Sequence, residues 1–277
     1  MSKTTTKVLA GCGVGCLLVT VVMIGVGWMG YRWARMAAEA VESAGRTEAE
    51  LEERYGKVRE YRPPVDEWLP ADRLAAFLEI RDALAPQRAA LSEAVGAFAP
   101  SDGESGMVGG LRAARAGVGM APVILEFTNA RNQALLDRDM GLGEYTWYYW
   151  LTYHAWLGHP ADDSLLHDIM AERSSSPGGV EMHFGDGMEP ERMTWRLRRD
   201  VRAMLRTLEA EIASDPERAS LRELVSEELT ALEADPARVP WQDGLPESLA
   251  VALEPYRTRL EESYSPATNL FELLELD

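Results

Sequence analysis

The stretch Gly143–Leu157, GEYTWYYWLTYHAWL, decides the fold class of this chain. Seven aromatic residues lie between Tyr145 and Trp156, and on a helical wheel they surround the axis instead of lining one side. A helix that is apolar all round has to be covered by neighbours on every side. We therefore predict that this stretch is the central helix of a bundle.

The segments that precede this aromatic helix also have helical spacing. One stretch runs over Pro70–Phe98, and Pro86 should kink or break it because proline lacks the backbone donor that a helix interior needs. Two further helical segments are predicted at Met107–Val118 and Pro122–Asp139. In the second of these, the predicted buried face consists of Val123, Phe127, Ala130 and Ala134.

The segments that follow the aromatic helix give the clearest helical patterns. Pro190 opens a helix with one continuous apolar face, formed by Met193, Leu197, Val201, Met204, Leu205, Leu208 and Ile212. Asp215 has the residue type of a helix cap and is followed by a first-turn proline. A last helix is predicted at Pro246–Tyr264, with a kink at Pro255. No alternating strand pattern of useful length appears, so the predicted fold class is all-α.

Near its start the chain has an uncharged run, Val8–Tyr31, VLAGCGVGCLLVTVVMIGVGWMGY. As a helix of roughly 24 residues it spans about 36 Å, enough to cross the hydrocarbon core of a bilayer. The run is too long for the apolar region of a cleaved signal peptide. Leu9–Cys12 is similar to a lipoprotein processing motif, but the apolar stretch comes after it instead of before it. We predict a single transmembrane helix.

The predicted organisation has four parts. Residues 1–7 are an N-terminal tail, 8–31 the transmembrane helix, 32–62 a juxtamembrane helix or stalk, and 63–277 an acidic helical soluble domain. Basic residues at the two ends of the apolar run are nearly balanced, so the positive-inside rule decides little. A short basic tail inside and a large domain outside is the usual arrangement for this layout. We expect a single-pass protein of the bacterial inner membrane with a periplasmic domain.

The predicted transmembrane helix contains a GxxxG step, Gly11 and Gly15, which allows two helices to approach closely. A homodimer through this face is one interpretation. The other is that glycine is simply common in membrane helices. The two cysteines, Cys12 and Cys16, lie in the same run, so the soluble domain folds without disulfides.

The charge balance limits the partners of the soluble domain. The chain has 28 Lys and Arg against 45 Asp and Glu, a formal net charge of −17. All of the acidic residues follow the apolar run, whereas Lys3 and Lys7 precede it. A surface this negative repels phosphate backbones, so we expect no nucleic-acid partner.

Four histidines are the first candidates for chemistry. Asp163 and His167 are four residues apart on one helix face, and His159 lies shortly before them, which suits a metal ion. Because no HExxH or ExxH motif accompanies them, we assign no metal site. His154 lies among the aromatic residues and is predicted to be a buried, hydrogen-bonded histidine. The alternative is a histidine that contacts a ligand in an aromatic pocket.

Charged residues on two helices have similarly open interpretations. Glu144 lies in the first turn of the aromatic helix, where a carboxylate offsets the helix dipole; the alternative is a core pair with an arginine of another helix. The helix from Pro190 carries one local basic patch, formed by Arg196, Arg198, Arg199, Arg202 and Arg206. We expect these arginines to pair with surrounding acids, and the alternative is that they dock an acidic partner.

The sequence contains no nucleophile elbow and no phosphate-binding loop ending in GK[ST]. We therefore assign no catalytic, cofactor-binding or metal-binding residue and predict no cofactor. The leading hypothesis is a membrane-anchored helical envelope protein with a protein-interaction or structural role and an envelope protein as its partner. The alternative is a small-ligand-binding protein or enzyme with a pocket beside the aromatic helix at 144–157.

Overall fold

The computed structural model describes residues 42–65, 68–98, 107–161, 190–235 and 237–273, without the side chains of residues 98, 107–119 and 190–193. Every regular element in these ranges is helical and none is a strand, which confirms the predicted all-α class. The chain divides into two compact units, Met1–Ser43 and Ala44–Asp277, and almost all of the first lies outside the described ranges.

The helices are numbered here in chain order. They are α1 (residues 42–55), α2 (Ala71–Ala83), α3 (Ala85–Phe98), α4 (Met107–Asp137), α5 (Leu142–Tyr149), α6 (Pro190–Ile212), α7 (Ala219–Ala234), α8 (Glu247–Leu253), α9 (Arg257–Ser263) and α10 (Asn269–Glu272). Short 3₁₀ turns lie at Val58–Glu60, Pro216–Arg218 and Glu254–Tyr256.

The aromatic helix lies in the interior, as predicted. It consists of α5 and a π-helical continuation, Trp150–Trp156, in which the Leu157 N–H donates to the Thr152 carbonyl 3.0 Å away. The side chains of Tyr145, Trp147, Tyr148, Tyr149, Trp150 and Tyr153 are completely buried. The π-helical turn was not predicted, because a single widened turn leaves no periodic signal in a sequence.

Proline and cap positions account for several helix boundaries. Leu84 interrupts the predicted stretch at 70–98, and Pro86 lies in the first turn of α3, where a missing N–H costs nothing. Asp215 caps the turn before α7 by accepting a hydrogen bond from the Glu217 N–H at 3.0 Å. The break predicted at Pro255 is the 3₁₀ turn between α8 and α9.

One helix prediction is wrong. The segments expected at 107–118 and 122–139 form a single helix, α4, with Pro122 inside it. Of the buried face predicted for it, Phe127 is fully buried, whereas Val123, Ala130 and Ala134 are half-buried. The interior side of α4 also carries Arg131 and Asn132. Arg131 donates to carbonyl oxygens at the distant C-terminal end of the chain, and Asn132 accepts a hydrogen bond from Arg131.

Two tightly packed glycines bring the end of α1 and the chain after it against the start of α5. A Cβ added to Gly143 would lie 2.6 Å from the Tyr61 Cβ and 2.8 Å from the Val58 carbonyl oxygen. At Gly141 the added atom would lie 2.7 Å from the Tyr55 Cβ. Leu51 and Val58 belong to the hydrophobic core, so the described part of the predicted stalk packs on the domain from residue 44 onward.

Among the residues that the structure describes, no helix is both long and apolar enough to cross a bilayer. The predicted transmembrane run at 8–31 and its GxxxG step lie outside those residues and stay predictions.

Candidate functional site

The most unusual feature of the interior is a group of charged and hydroxyl side chains around Arg81, which we call the arginine–tyrosine cluster: Arg81, Arg131, Tyr145, Tyr149, Tyr153, Ser263 and Glu272. The aromatic helix supplies three of its members. Tyr145, Tyr149 and Tyr153 follow one another at intervals of four residues, which places them along one side of a helix. That side faces α2 and the C-terminal segment, from which the other partners come.

Arg81 is the centre of the cluster and is completely buried on α2. Its Nε donates to the Tyr153 hydroxyl and its Nη1 to the Tyr145 hydroxyl, each at 3.0 Å. Its Nη2 donates to the carbonyl oxygen of Ser263 at the end of α9. The guanidinium carbon also lies 5.0 Å from the centre of the Tyr153 ring, within the range of a cation–π contact.

Glu272 supplies the negative charge that balances Arg81. Its Oε1 lies 2.5 Å from Arg81 Nη1, and its Oε2 accepts a hydrogen bond of 2.7 Å from the Tyr145 hydroxyl. Its side chain is also completely buried. A buried carboxylate is tolerated only when it is paired and hydrogen-bonded, and both conditions hold here.

Arg131 holds the backbone of the same segment. From α4 it donates through Nη1 to the carbonyl oxygens of Phe271 and Glu272, at 3.2 and 3.0 Å. The Asn132 side-chain oxygen accepts a bond of 2.8 Å from Nη2 of the same guanidinium. On the other side of the segment, the Tyr149 hydroxyl donates to the side-chain oxygen of Asn269 at 3.0 Å. Two arginines and the tyrosines thus fix α10 inside the bundle.

The protonation states follow from burial and from these partners. Burial by itself would lower the pKa of the Arg81 guanidinium, but Glu272 and the tyrosine hydroxyls hold it well above its usual range. Burial raises the pKa of Tyr145, an effect that Arg81 opposes and Glu272 reinforces. Burial also raises the pKa of Tyr149. The hydroxyls therefore stay protonated as donors at neutral pH, and the cluster is suited to holding a carboxylate in place.

A second ion pair fixes the start of the aromatic helix. The Glu144 carboxylate accepts hydrogen bonds from Nε and Nη2 of Arg73, each at 2.6 Å, in a bidentate arrangement that is partly buried. Arg73 Nη2 also donates to the Asp139 carbonyl oxygen at 2.9 Å. The carboxylate lies in the first helical turn and also pairs with an arginine of another helix, so both interpretations of Glu144 apply.

The histidines are placed as follows. His154 is 3% exposed, and its Nδ1 lies 2.9 Å from the His159 carbonyl oxygen, as expected for a buried histidine with a hydrogen bond. The His159 ring stacks on Tyr264, with ring centres 3.7 Å apart. Asp163 and His167 lie outside the described residues. Within the described part of the chain, no group of acidic, histidine or cysteine side chains is suited to a metal ion.

The arginines of α6 lie at its surface and at its contact with α7. Arg199 Nη2 pairs with Asp200 at 2.8 Å and Arg206 pairs with Glu233 at 3.2 Å, as expected for arginines surrounded by acids. Arg202 instead donates to the Leu232 carbonyl oxygen of α7 at 2.7 Å. The Arg199 guanidinium also lies 5.3 Å from the ring of Trp195, which is 61% exposed.

Sequence reasoning missed the cluster, although a signal for it exists. Arg81 follows Leu74 and Phe77 and precedes Leu84 at spacings of three, four and three, so it occupies a core position of an apolar stripe. Arg131 lies likewise four residues from both Phe127 and Leu135. An arginine inside such a stripe indicates either an interrupted apolar face or a buried partner.

Comparison of the chain with protein-family models, with curated proteins and with solved structures finds no match.

Proposed function

We propose that this chain is a membrane-anchored helical envelope protein whose folded domain docks another protein, and that the docking surface lies on α6 around Trp195. The observation that carries the proposal is the exposure of that tryptophan. Tryptophan is large and mostly apolar, and at protein surfaces it is enriched among the residues that contribute most to binding.

The surroundings of Trp195 support an acidic partner. Trp195, Arg199 and Arg206 form an exposed stripe along α6, with spacings of four and seven residues. The ion pair of Arg206 with Glu233 lies at the surface, where such pairs contribute little to stability and exchange easily, whereas Arg199 pairs with Asp200, which is only 7% exposed. A partner that presents carboxylates gains charge-assisted hydrogen bonds there, and the aromatic ring contributes buried apolar area.

The rest of the proposal concerns the part of the chain outside the described residues. The uncharged run at 8–31 supports a single inner-membrane span with the domain in the periplasm, and Gly11 and Gly15 support a close approach of two such helices. The alternative of a pocket beside residues 144–157 gains no support from the described residues. The tyrosines and tryptophans at its centre are completely buried and contact one another, for example Tyr149 and Tyr153 at 4.6 Å between ring centres.

The test is in-cell crosslinking of the tagged full chain, followed by mass spectrometry, in three versions: the natural chain, Trp195→Ala and Val251→Ala. Val251 lies on α8 and is the matched control, because its side chain is 66% exposed and equally without neighbours to lose. We expect the Trp195 substitution to reduce the yield of an acidic crosslinked partner about tenfold or more, as for a residue that contributes roughly 2 kcal/mol to binding. Equal yields from all three versions would contradict the proposal.

A fractionation experiment tests the anchor separately. The full chain should sediment with membranes and be released by detergent but not by high salt. Recovery of the full chain in the soluble fraction without detergent would remove the anchor from the proposal and leave the docking surface untouched.

A further inference from the structure

Arg88, on α3, is a buried arginine that forms no ion pair with the residues that the structure describes. Only 7% of it is exposed. No ion pair or hydrogen bond of its guanidinium occurs among the residues that the structure describes, and its Nη1 is enclosed without an acceptor. Arginine is almost never buried unless it is paired, and a buried donor without an acceptor costs roughly 1–3 kcal/mol. An orphaned group of this kind needs a partner.

The described residues around Arg88 also carry an excess of positive charge. The neighbouring Arg81 is completely buried, and it already pairs with Glu272, the carboxylate that the cluster supplies. Burial and the neighbouring Arg81 charge lower the pKa of Arg88, while Glu272, Tyr145 and Tyr153 oppose this effect. Even so, a guanidinium stays protonated at neutral pH. Among the described residues, Arg81 and Arg88 therefore carry more positive charge than Glu272 alone neutralises.

Two hydroxyl groups lie on the same side of α3. Ser92 follows Arg88 by four residues, which places both on one helix face. Its Oγ lies 3.0 Å from the Oγ of Ser265, in the turn before α10. One hydroxyl donates to the other, so the second proton of the pair is left to donate elsewhere. Both serines are half-buried, so this end of the face adjoins the surface.

We propose that Arg88, Ser92 and Ser265 bind a small oxyanion of the carboxylate or phosphate class. The planar guanidinium can donate to two oxygens of such an anion at once. A halide is a single sphere and offers no such pair of acceptors. The bound anion would balance Arg88 and connect α3 to the C-terminal segment. This site is distinct from the α6 surface and does not depend on the docking function.

The test measures how inorganic phosphate, and in a second series acetate, changes the melting temperature of the full chain in a nonionic detergent. Chloride replaces each anion at constant ionic strength. The melting temperature should rise by about 5–10 °C when phosphate reaches about 100 times its Kd. If the site also binds carboxylates, acetate should raise the melting temperature too. If it does not, only phosphate should raise it.

Three variants locate the effect. Arg88→Met should not respond to phosphate, and without phosphate it should melt no lower than the natural chain, because it removes an unbalanced buried charge. Arg88→Lys keeps the charge and provides a second test of the same site; it should need about tenfold more phosphate because it lacks the planar fork. Arg138→Met is the control, since Arg138 is exposed and pairs with Glu79 at 2.7 Å, and it should respond as the natural chain does.

Three results would overturn the proposal. The first is that neither phosphate nor acetate raises the melting temperature of the natural chain above its value in chloride. The second is an equal phosphate response in the natural chain and in the folded Arg88 variants. The third is a large loss of stability in Arg88→Met without phosphate, since it would show that Arg88 already has a partner within the protein.

Discussion

Replacing Glu272 by glutamine would remove the negative charge at the centre of the arginine–tyrosine cluster and leave its shape nearly unchanged. In the natural chain the carboxylate lies 2.5 Å from Arg81 Nη1 and accepts a bond of 2.7 Å from Tyr145. Because both charges are completely buried, Glu272→Gln leaves Arg81 as an uncompensated cation in the interior. Breaking a buried pair in this way costs about 3–5 kcal/mol. The melting temperature should fall by about 6–20 °C for a domain of this size.

The assay is urea unfolding followed by circular dichroism, which yields the free energy of unfolding. Glu261→Gln is the matched control, because Glu261 is exposed and lies 3.6 Å from Arg257 on α9. Glu261→Gln should lower the free energy of unfolding by at most about 0.5 kcal/mol. The double variant Arg81→Met with Glu272→Leu should recover most of the stability, since it removes both charges together. A loss below about 1 kcal/mol in Glu272→Gln would refute the reasoning.

Two further predictions concern the aromatic helix. Gly143→Ala places a methyl group 2.6 Å from the Tyr61 Cβ and should lower the free energy of unfolding by about 1–3 kcal/mol in the same urea assay. Gly96→Ala, in the interior of α3 with open space around it, should instead raise the free energy of unfolding by about 0.5–1 kcal/mol. Because burial raises the pKa of Tyr145 and Tyr149, these side chains stay protonated when folded while the unfolded chain ionises near pH 10. Stability should therefore be unaffected below pH 9 and fall by about 1.4 kcal/mol per pH unit for each such tyrosine above pH 10, as measured by urea unfolding.

Each of these has a clear contrary result. Equal and small effects of the two glycine substitutions would mean that the chain at Val58–Tyr61 does not pack on α5 as described. Tyrosinate absorbance that appears near pH 10 in the still-folded protein and that Tyr145→Phe or Tyr149→Phe removes would mean that the hydroxyl concerned is not buried.

The elements that the sequence predicts well are those with a strong local signal. The aromatic helix was recognisable because aromatics surround it, and the apolar face of α6 because six of its seven predicted core residues follow helical spacing and are indeed buried: Leu197, Val201, Met204, Leu205, Leu208 and Ile212. The break near Pro86 follows from the covalent structure of proline. These features depend on residues within one or two helical turns.

The cluster was not predictable in the same way, because its partners are far apart in the chain. Arg81 and Glu272 are separated by 191 residues, so no local pattern connects them. An arginine inside an apolar stripe has two meanings, a solvated interruption or a buried ion, and only the tertiary fold decides between them. Pro122 is a second feature that local sequence does not predict correctly. Proline favours a helix boundary, but α4 continues through Pro122.

Native-state hydrogen exchange tests most directly whether the C-terminal segment belongs to the interior. The amides of Phe271 and Glu272 donate to the Thr268 carbonyl oxygen at 2.9 and 3.0 Å, within a helix of only four residues. If the arginine–tyrosine cluster fixes this segment, both amides should exchange only when the whole domain unfolds, as slowly as the amide of Leu151 in the aromatic helix. Exchange at the rate of a frayed chain end, while Leu151 stays protected, would contradict the account.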